Sequence, residues 1–353
     1  MSPVTPLDDF DGLLDWGKLQ AWIDARSGIP GSGPVTEVER IAGGSQNNLF
    51  MMTRGGERFV LRRPPLHLRK NSNSTMLREA RLLGALKDST VPHARLYDVC
   101  ADESVIGACF YVMEPLDGFS PSGPLPGRYA TDAAWRRAMG EEFMKAAAGM
   151  SAIDYAAVGL ADYGKVENWH ERQVDRWRSQ LEGYRETPGY APDDLPDIDR
   201  VGRWLMDNIP ADRRIGVIHG DFQYPNVMYR HDRPVIAGLI DWELSTLGDP
   251  MLDLGWVLQS WVEPGDLPGR NTVVTPWDGF LTREDLIRLY CELTGRDIAA
   301  VPWFFTLACY KLGCILEGTY ARSIAGEAPR ERGEYFHALT KWLFTRAAQL
   351  AGV

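Results

Sequence analysis

His219-Gly220-Asp221-Phe222-Gln223-Tyr224-Pro225-Asn226 is the stretch whose reading decides the rest. Residues 215–218 read as a short strand that delivers the chain to His219, and 227–229 with 235–240 read as a hairpin around His231-Asp232-Arg233-Pro234. An Asp and an Asn five residues apart on a loop between strands suit phosphoryl transfer. The Asp accepts the proton of an attacking hydroxyl, and the Asn reaches back to a metal on the phosphates. Fifteen residues beyond Asn226 the second hairpin strand ends at Ile240-Asp241-Trp242-Glu243. A carboxylate there lies beside the Asn at the open end of the hairpin, and Mg²⁺ takes such oxygen ligands together with triphosphate oxygens. An Asp at a strand end is, alone, commonly a turn or cap residue. Asp221, Asn226 and Asp241 together, with these strands between them, point to metal-assisted chemistry.

Working outward, helical patterns cover about 131–152, 168–185, 196–209, 250–262, 299–322 and 331–350. Another runs over 283–294, with Thr282 as N-cap and Gly295 as stop. Toward the N-terminus a helix over 15–27 stops at Gly28 and a Gly/Pro-rich connector runs to Pro34. Strands follow at 35–42, 48–53 and 58–63, then a helix over 72–86 with Met76, Leu77, Ala80, Leu83 and Leu86 on one stripe, then strands at 95–100 and 108–113. The Pro/Gly-rich stretch 115–128 separates this strand-rich part from the helix-rich remainder. At 353 residues the chain exceeds what one core serves, which agrees with two lobes. The division is residues 1–34 as a helical extension, 35–116 as a small lobe and 117–353 as a larger one.

The two motifs resemble those of the aminoglycoside phosphotransferase-like (choline kinase) family, His-Gly-Asp-x-x-x-x-Asn followed by a strand ending Ile-Asp-[Trp/Phe/Tyr]-Glu. Protein kinases do the same jobs with His-Arg-Asp-x-x-x-x-Asn and Asp-Phe-Gly. The likeness spans roughly residues 36–260. Residues 240–250, with Asp253-Leu254-Gly255, are most similar to the branch associated with acyl-CoA dehydrogenases. The resemblance implies an α+β, bilobal, protein-kinase-like fold, with a β-rich first lobe carrying one main helix and a mostly helical second lobe. It implies an ATP-dependent kinase, with GTP left open, that uses Mg²⁺ to phosphorylate a hydroxyl of a small molecule. Asp221 would be the catalytic base, Asn226 and Asp241 the metal ligands, and Asp253 a brace on the catalytic loop. His219 is expected to pack and hydrogen-bond to hold that loop. Candidate acceptors are a hydroxyacyl-CoA or related alcohol, or an aminoglycoside or amino alcohol.

The first lobe is expected to cradle the nucleotide. Gly43-Gly44-Ser45 between two strands has the backbone freedom to fold over phosphates. Phe59-Val60-Leu61-Arg62 aligns with the kinase Val-Ala-Ile-Lys, and strand alternation puts Val60 and Arg62 on one face. Val60 would then floor the adenine and Arg62 reach the phosphates, with Arg63 turned to solvent or the helix. Glu79, midway along the next helix, is the natural partner for Arg62. The segment from Tyr111 through Glu114 to Leu116 resembles the hinge that reads the adenine edge. Acceptor-binding groups are expected after residue 130 and in the loop 263–280. Trp256, Trp261, Trp277, Trp303, Phe304 and Phe305 would suit an acyl chain, although most of them are expected in the core, and Arg270, Arg283 and Arg322 would suit a thioester's phosphates.

Composition narrows the alternatives. Hydrophobic residues at 44% and charged residues at 24% describe a globular chain. A net charge of −10 disfavours nucleic acid or an anionic membrane as partner. Five scattered cysteines without a Cys-x-x-Cys pair fit reduced thiols in a cytoplasmic protein. The most apolar stretch, 301–310, is shorter than the ~20 residues that span a bilayer. A metallophosphoesterase needs several further His/Asp ligands that the six histidines do not cluster to supply. A non-catalytic nucleotide-binding scaffold would lack the base or a metal ligand, and all three are present. The pattern leaves the oligomeric state open.

Overall fold

The computed structural model describes residues 8–41, 47–191, 194–263 and 274–353. Strands β1 (Val35–Ile41), β2 (Asn48–Arg54), β3 (Glu57–Arg63), β4 (Leu96–Cys100) and β5 (Phe110–Met113) form one antiparallel sheet in the order β1-β2-β3-β5-β4. Alternation on these strands gives the sheet two faces. One face presents Phe50, Met52, Phe59, Leu61, Phe110 and Val112. Helix α1 (Trp16–Asp24) and its flanks cover it with Leu13, Leu14, Leu19, Trp22, Ile23 and Ile29, making an apolar core of its own. Each such side chain contributes ~1.5–3 kcal/mol by leaving water. The N-terminal extension is therefore part of the sheet's packing.

The opposite face carries α2 (Ser72–Leu86), whose Met76, Ala80, Leu83 and Leu86 join the core of the helical part. Two arginines fasten this helix. Arg78 donates to the Tyr163 and Ser245 carbonyls at 3.1 and 3.2 Å, and Arg81 donates to the Gly159 carbonyl at 2.6 Å and pairs with Asp162.

The second part contains the short α3 (Gly127–Thr131), then α4 (Ala133–Ser151), α5 (Gln173–Gly183), α6 (Ile198–Asp207), α7 (Met251–Ser260), α8 (Arg283–Thr294), α9 (Val301–Ile324) and α10 (Arg330–Ala351). Two small ribbons carry the loops of interest. Strands β7 (Val227–Tyr229) and β8 (Ile236–Leu239) form the expected hairpin. Strand β6 (Gly216–Ile218) pairs with β9 (Thr246–Gly248), a strand too short for a periodic signal. Helix α9 is longer than the apolar run the sequence suggested. With the turn before it, it makes a 27-residue stretch, Ile298–Ile324, long and apolar enough to cross a bilayer, yet 72% of the apolar window is buried, with α7, α5 and α10 packed on the helix. At Gly255 of α7 a Cβ would lie 2.4 Å from the Phe304 carbonyl, so only glycine allows these helices to approach so closely.

Candidate active site

The loop between β6 and β7 is held from three sides. Asp253, in the first turn of α7, accepts the His219 amide at 2.7 Å and the Gly220 amide at 3.0 Å. Burial pushes its carboxyl up, and those two amides only partly offset this. The His219 ring lies within 3.0 Å of the Ile240 carbonyl through Nε2 and receives the Asp221 amide on Nδ1 at 3.4 Å. A carbonyl only accepts and an amide only donates, so the ring is the Nε2–H tautomer and ties the loop to the end of β8. Gly220 has φ +84°, and a Cβ there would fall 2.4 Å from the Leu244 carbonyl. Left-handed backbone and close approach both require glycine.

This scaffold presents Asp221. Its Oδ1 accepts Gln223 Nε2 and Trp256 Nε1, each at 2.9 Å, and its Oδ2 accepts Asn226 Nδ2 at 2.8 Å. The same Asn226 nitrogen donates to the Asp221 carbonyl at 2.8 Å, which leaves the Asn226 side-chain oxygen free of hydrogen bonds among the described residues. The Ile240 amide donates to the Asn226 carbonyl at 2.9 Å and so extends the β7–β8 ladder, bringing Asp241 alongside Asn226. Asp241 has φ +65° and ψ +60°, a left-handed conformation that Asp tolerates at a cost. A strained residue at the lip of a cleft is a place where function holds the backbone.

That cleft is a cavity of about 970 Å³ between the sheet and the β7–β8 hairpin, within the range of nucleotide-sized sites. Val60, Arg62, Glu114 and Leu116 line it from the first lobe, and Asn226, Met228, Leu239 and Asp241 from the second. Arg62 and Glu79 meet at 2.9 Å, and Glu79 is 1% exposed. Tyr111 donates to the same carboxylate at 2.9 Å. Arg62 also reaches Asp241 at 3.2 Å, a bridge between the lobes. Burial works against its guanidinium, but Tyr111, Glu79 and Asp241 together raise its pKa. At the hinge the Glu114 amide is taken by the Arg95 carbonyl at 2.9 Å, whereas among the described residues the Glu114 carbonyl and the Leu116 amide make no hydrogen bond. Those two groups are free to read a base edge. Gly43, Gly44 and Ser45 lie outside the described residues. The chemistry of the donors fits Mg²⁺: an unengaged amide oxygen on Asn226 and a cavity-facing carboxylate on Asp241, with the remaining positions left to phosphates and water.

Comparison with known proteins agrees with this geometry. The profile described as "Phosphotransferase enzyme family" (APH) matches residues 37–290. The chain belongs to this family. Among curated proteins, it is 31% identical over 322 residues to a probable acyl-CoA dehydrogenase IBR3 of Arabidopsis thaliana. It is 28% identical over 329 residues to acyl-CoA dehydrogenase family member 10 of Mus musculus. These alignments cover 86% and 92% of this chain but only 38% and 30% of the relatives, so the chain spans about a third of their length. Among solved structures, a putative aminoglycoside phosphotransferase from Ralstonia eutropha superposes with a TM-score of 0.77 at 31% identity, covering 95% of this chain and 98% of that one. An aminoglycoside phosphotransferase in ternary complex with ADP and hygromycin B shares the fold at a TM-score of 0.59 and 14% identity, with 89% and 95% covered.

Within this family member two sequence expectations need correcting. Arg63 does turn away from Arg62, but to neither solvent nor a helix. It is 1% exposed and donates to the carbonyls of Leu13, Ile106 (3.1 Å) and Pro64 (3.0 Å), because the N-terminal segment covers that face. Burial without a carboxylate pulls its pKa down to about 10. Arg283 is taken by Glu263 at 3.2 Å and by the Leu258 carbonyl at 3.0 Å, so it is not a spare phosphate ligand; Arg270 lies outside the described residues. The aromatics of the second lobe are core, as the sequence reading has most of them: Trp256, Trp261, Trp303, Phe304 and Phe305 are buried, with Trp277 half-buried beside them. The motif reading also missed three groups around the base, Gln223, Trp256 and Lys311, and the Tyr111 hydroxyl on Glu79. Only Lys311 left a signal, as the one charge in the apolar run from Val301 to Ile315.

Proposed function

We propose that this protein is an ATP-dependent phosphotransferase that uses Mg²⁺ to phosphorylate a hydroxyl of a small acyl compound, a hydroxyacyl-CoA or related alcohol. The observation that carries the reaction is the Asp221–Asn226 hydrogen bond with Asp241 beside it at the mouth of the cleft. Bound Mg²⁺ would neutralise triphosphate charge and fix the phosphates in line. Asn226 and Asp241 would hold it. Asp221 orients the acceptor hydroxyl and takes its proton as the phosphoryl group leaves the nucleotide. Gln223, Trp256 and Asn226 fix the direction of that carboxylate, and Arg62, steered by Glu79, supplies positive charge toward the phosphates. A bound ADP in a protein of the same fold supports a nucleotide in this cleft. Among the described residues no three His, Cys, Asp or Glu gather as a metal-only centre would require, so the metallophosphoesterase alternative draws no support. All five cysteines are free thiols, which supports a cytoplasmic setting.

The acyl acceptor is supported by the acyl-CoA dehydrogenase family members that match most of this chain. The aminoglycoside alternative is favoured by the name of the Ralstonia eutropha structure. Steady-state ADP release with a 4-hydroxyacyl-CoA and with kanamycin separates them. The acyl reading expects turnover with the thioester and none above background with kanamycin. The opposite pattern refutes the acceptor and leaves the kinase reading intact.

A further inference from the structure

Lys311 has no role in the reaction described so far, and its placement is unusual. It sits on α9 and is 7% exposed. Among the described residues its ammonium makes one hydrogen bond, to the Gly220 carbonyl at 3.2 Å. It also lies 4.2 Å from the centroid of the Trp256 ring and 5.5 Å from that of Trp177. The positive φ of Gly220 turns the carbonyl of the residue before Asp221 toward α9. Trp256 in turn donates to Asp221 Oδ1 at 2.9 Å. A single side chain thus touches both supports of the base, the loop backbone on one side and the indole on the other.

We infer that Lys311 is a positioning residue, which fixes the Gly220 carbonyl and, by its cation–π contact with Trp256, the direction of the Asp221 carboxylate. This rests on the phosphotransferase reading above. Stability alone gives no reason for a lysine here. A methionine would fill the space without burying an ammonium. The charged groups facing it are Asp253 on α7, Asp221 on the loop and Arg176 on α5, and the first two favour the charged form while the third opposes it. Burial outweighs them and brings the ammonium down to about 8. The supporting charge is therefore present at neutral pH and is lost as pH rises through about 8.

The test uses Mg-ATP as probe, with ADP release to water as acceptor, on the full chain. Lys311→Met and Trp256→Phe should each lower kcat about 10-fold or more, since small displacements of a catalytic group are costly. KM for ATP should change less than about 2-fold, because neither residue lines the nucleotide cavity. The double variant should be little worse than the poorer single variant, as expected of residues acting through one contact. Wild-type kcat should fall above about pH 8, and Lys311→Arg, whose charge persists, should remove that fall. If Lys311→Met fails to fold, the pH profile of Lys311→Arg decides. Wild-type kcat in Lys311→Met, fully additive losses, or an alkaline fall unchanged in Lys311→Arg would each overturn the inference. A wild-type protein that neither binds nor turns over Mg-ATP overturns the function reading, and this inference falls with it.

Discussion

Replacing Lys311 with methionine should change how folding stability responds to pH. The ammonium titrates near 10.5 in an unfolded chain and at about 8 in the folded protein. The folded pKa is the lower one, so between these values the unfolded state binds more protons, and stability rises with pH across that window. The full gap corresponds to ~3 kcal/mol at 1.36 kcal/mol for each factor of ten. About 2 kcal/mol of it is recovered on going from about pH 7 to about pH 9.5, where the folded lysine is mostly neutral. Other groups add their own pH dependence, among them the buried cysteines, whose thiols are pushed up by burial. They are common to both proteins and cancel in the difference. The assay is urea unfolding followed by far-UV circular dichroism, on wild type and Lys311→Met at the two pH values. Wild type should gain about 2 kcal/mol relative to the variant. A difference that stays constant with pH would refute the claim that burial brings the Lys311 ammonium down to about 8.

Arg62→Ala should weaken Mg-ATP binding and also cost ~3–5 kcal/mol of stability, because Glu79 is left buried without its cation. Arg63→Ala should lower the melting temperature through its orphaned carbonyls, at ~1–3 kcal/mol, with nucleotide binding nearly unchanged. Equal losses of nucleotide affinity, read by calorimetry, would show that β3 has been assigned to the wrong register. Gly220→Ala places a Cβ 2.4 Å from the Leu244 carbonyl at a φ of +84°. ADP release should drop about 10-fold or more, and unchanged turnover would mean the loop is not held as described. Asp241→Ala should abolish Mg²⁺-dependent nucleotide binding, seen as ATP affinity that no longer responds to added Mg²⁺, whereas affinity equal to wild type refutes the metal assignment.

The catalytic loop was legible because its chemistry is local: Asp221, Asn226 and the strand leading to Asp241 follow one another in the chain, and short strands fix their geometry. Helices such as α2 and α8 were also readable to the residue, since capping and periodicity are sequence properties. What escaped was set by tertiary contact. Arg63 looked solvent-bound because nothing in β3 announces that residues 13 and 106 will close over it. Strand β9 is three residues long and exists only because β6 offers it a partner. Trp256 and Lys311 come from two helices that approach one another at Gly255, and their meeting with Asp221 has no counterpart in the linear pattern. The Arg62–Asp241 bridge spans 179 positions and exists only because the fold brings β3 against the end of β8.

Asp221 is proposed as the base of a phosphoryl transfer from nucleotide to hydroxyl. Parallel measurement of ADP release from Mg-ATP by wild type and Asp221→Asn tests it most directly. The variant keeps the size of the side chain and replaces a carboxylate oxygen by an amide, so it removes the proton acceptor while leaving Asn226, Asp241 and the cleft in place. Turnover should fall by ~10²-fold or more with Mg-ATP affinity nearly intact, as for loss of a positioned general base. Turnover equal to that of wild type, at equal affinity, would show that Asp221 is not the base.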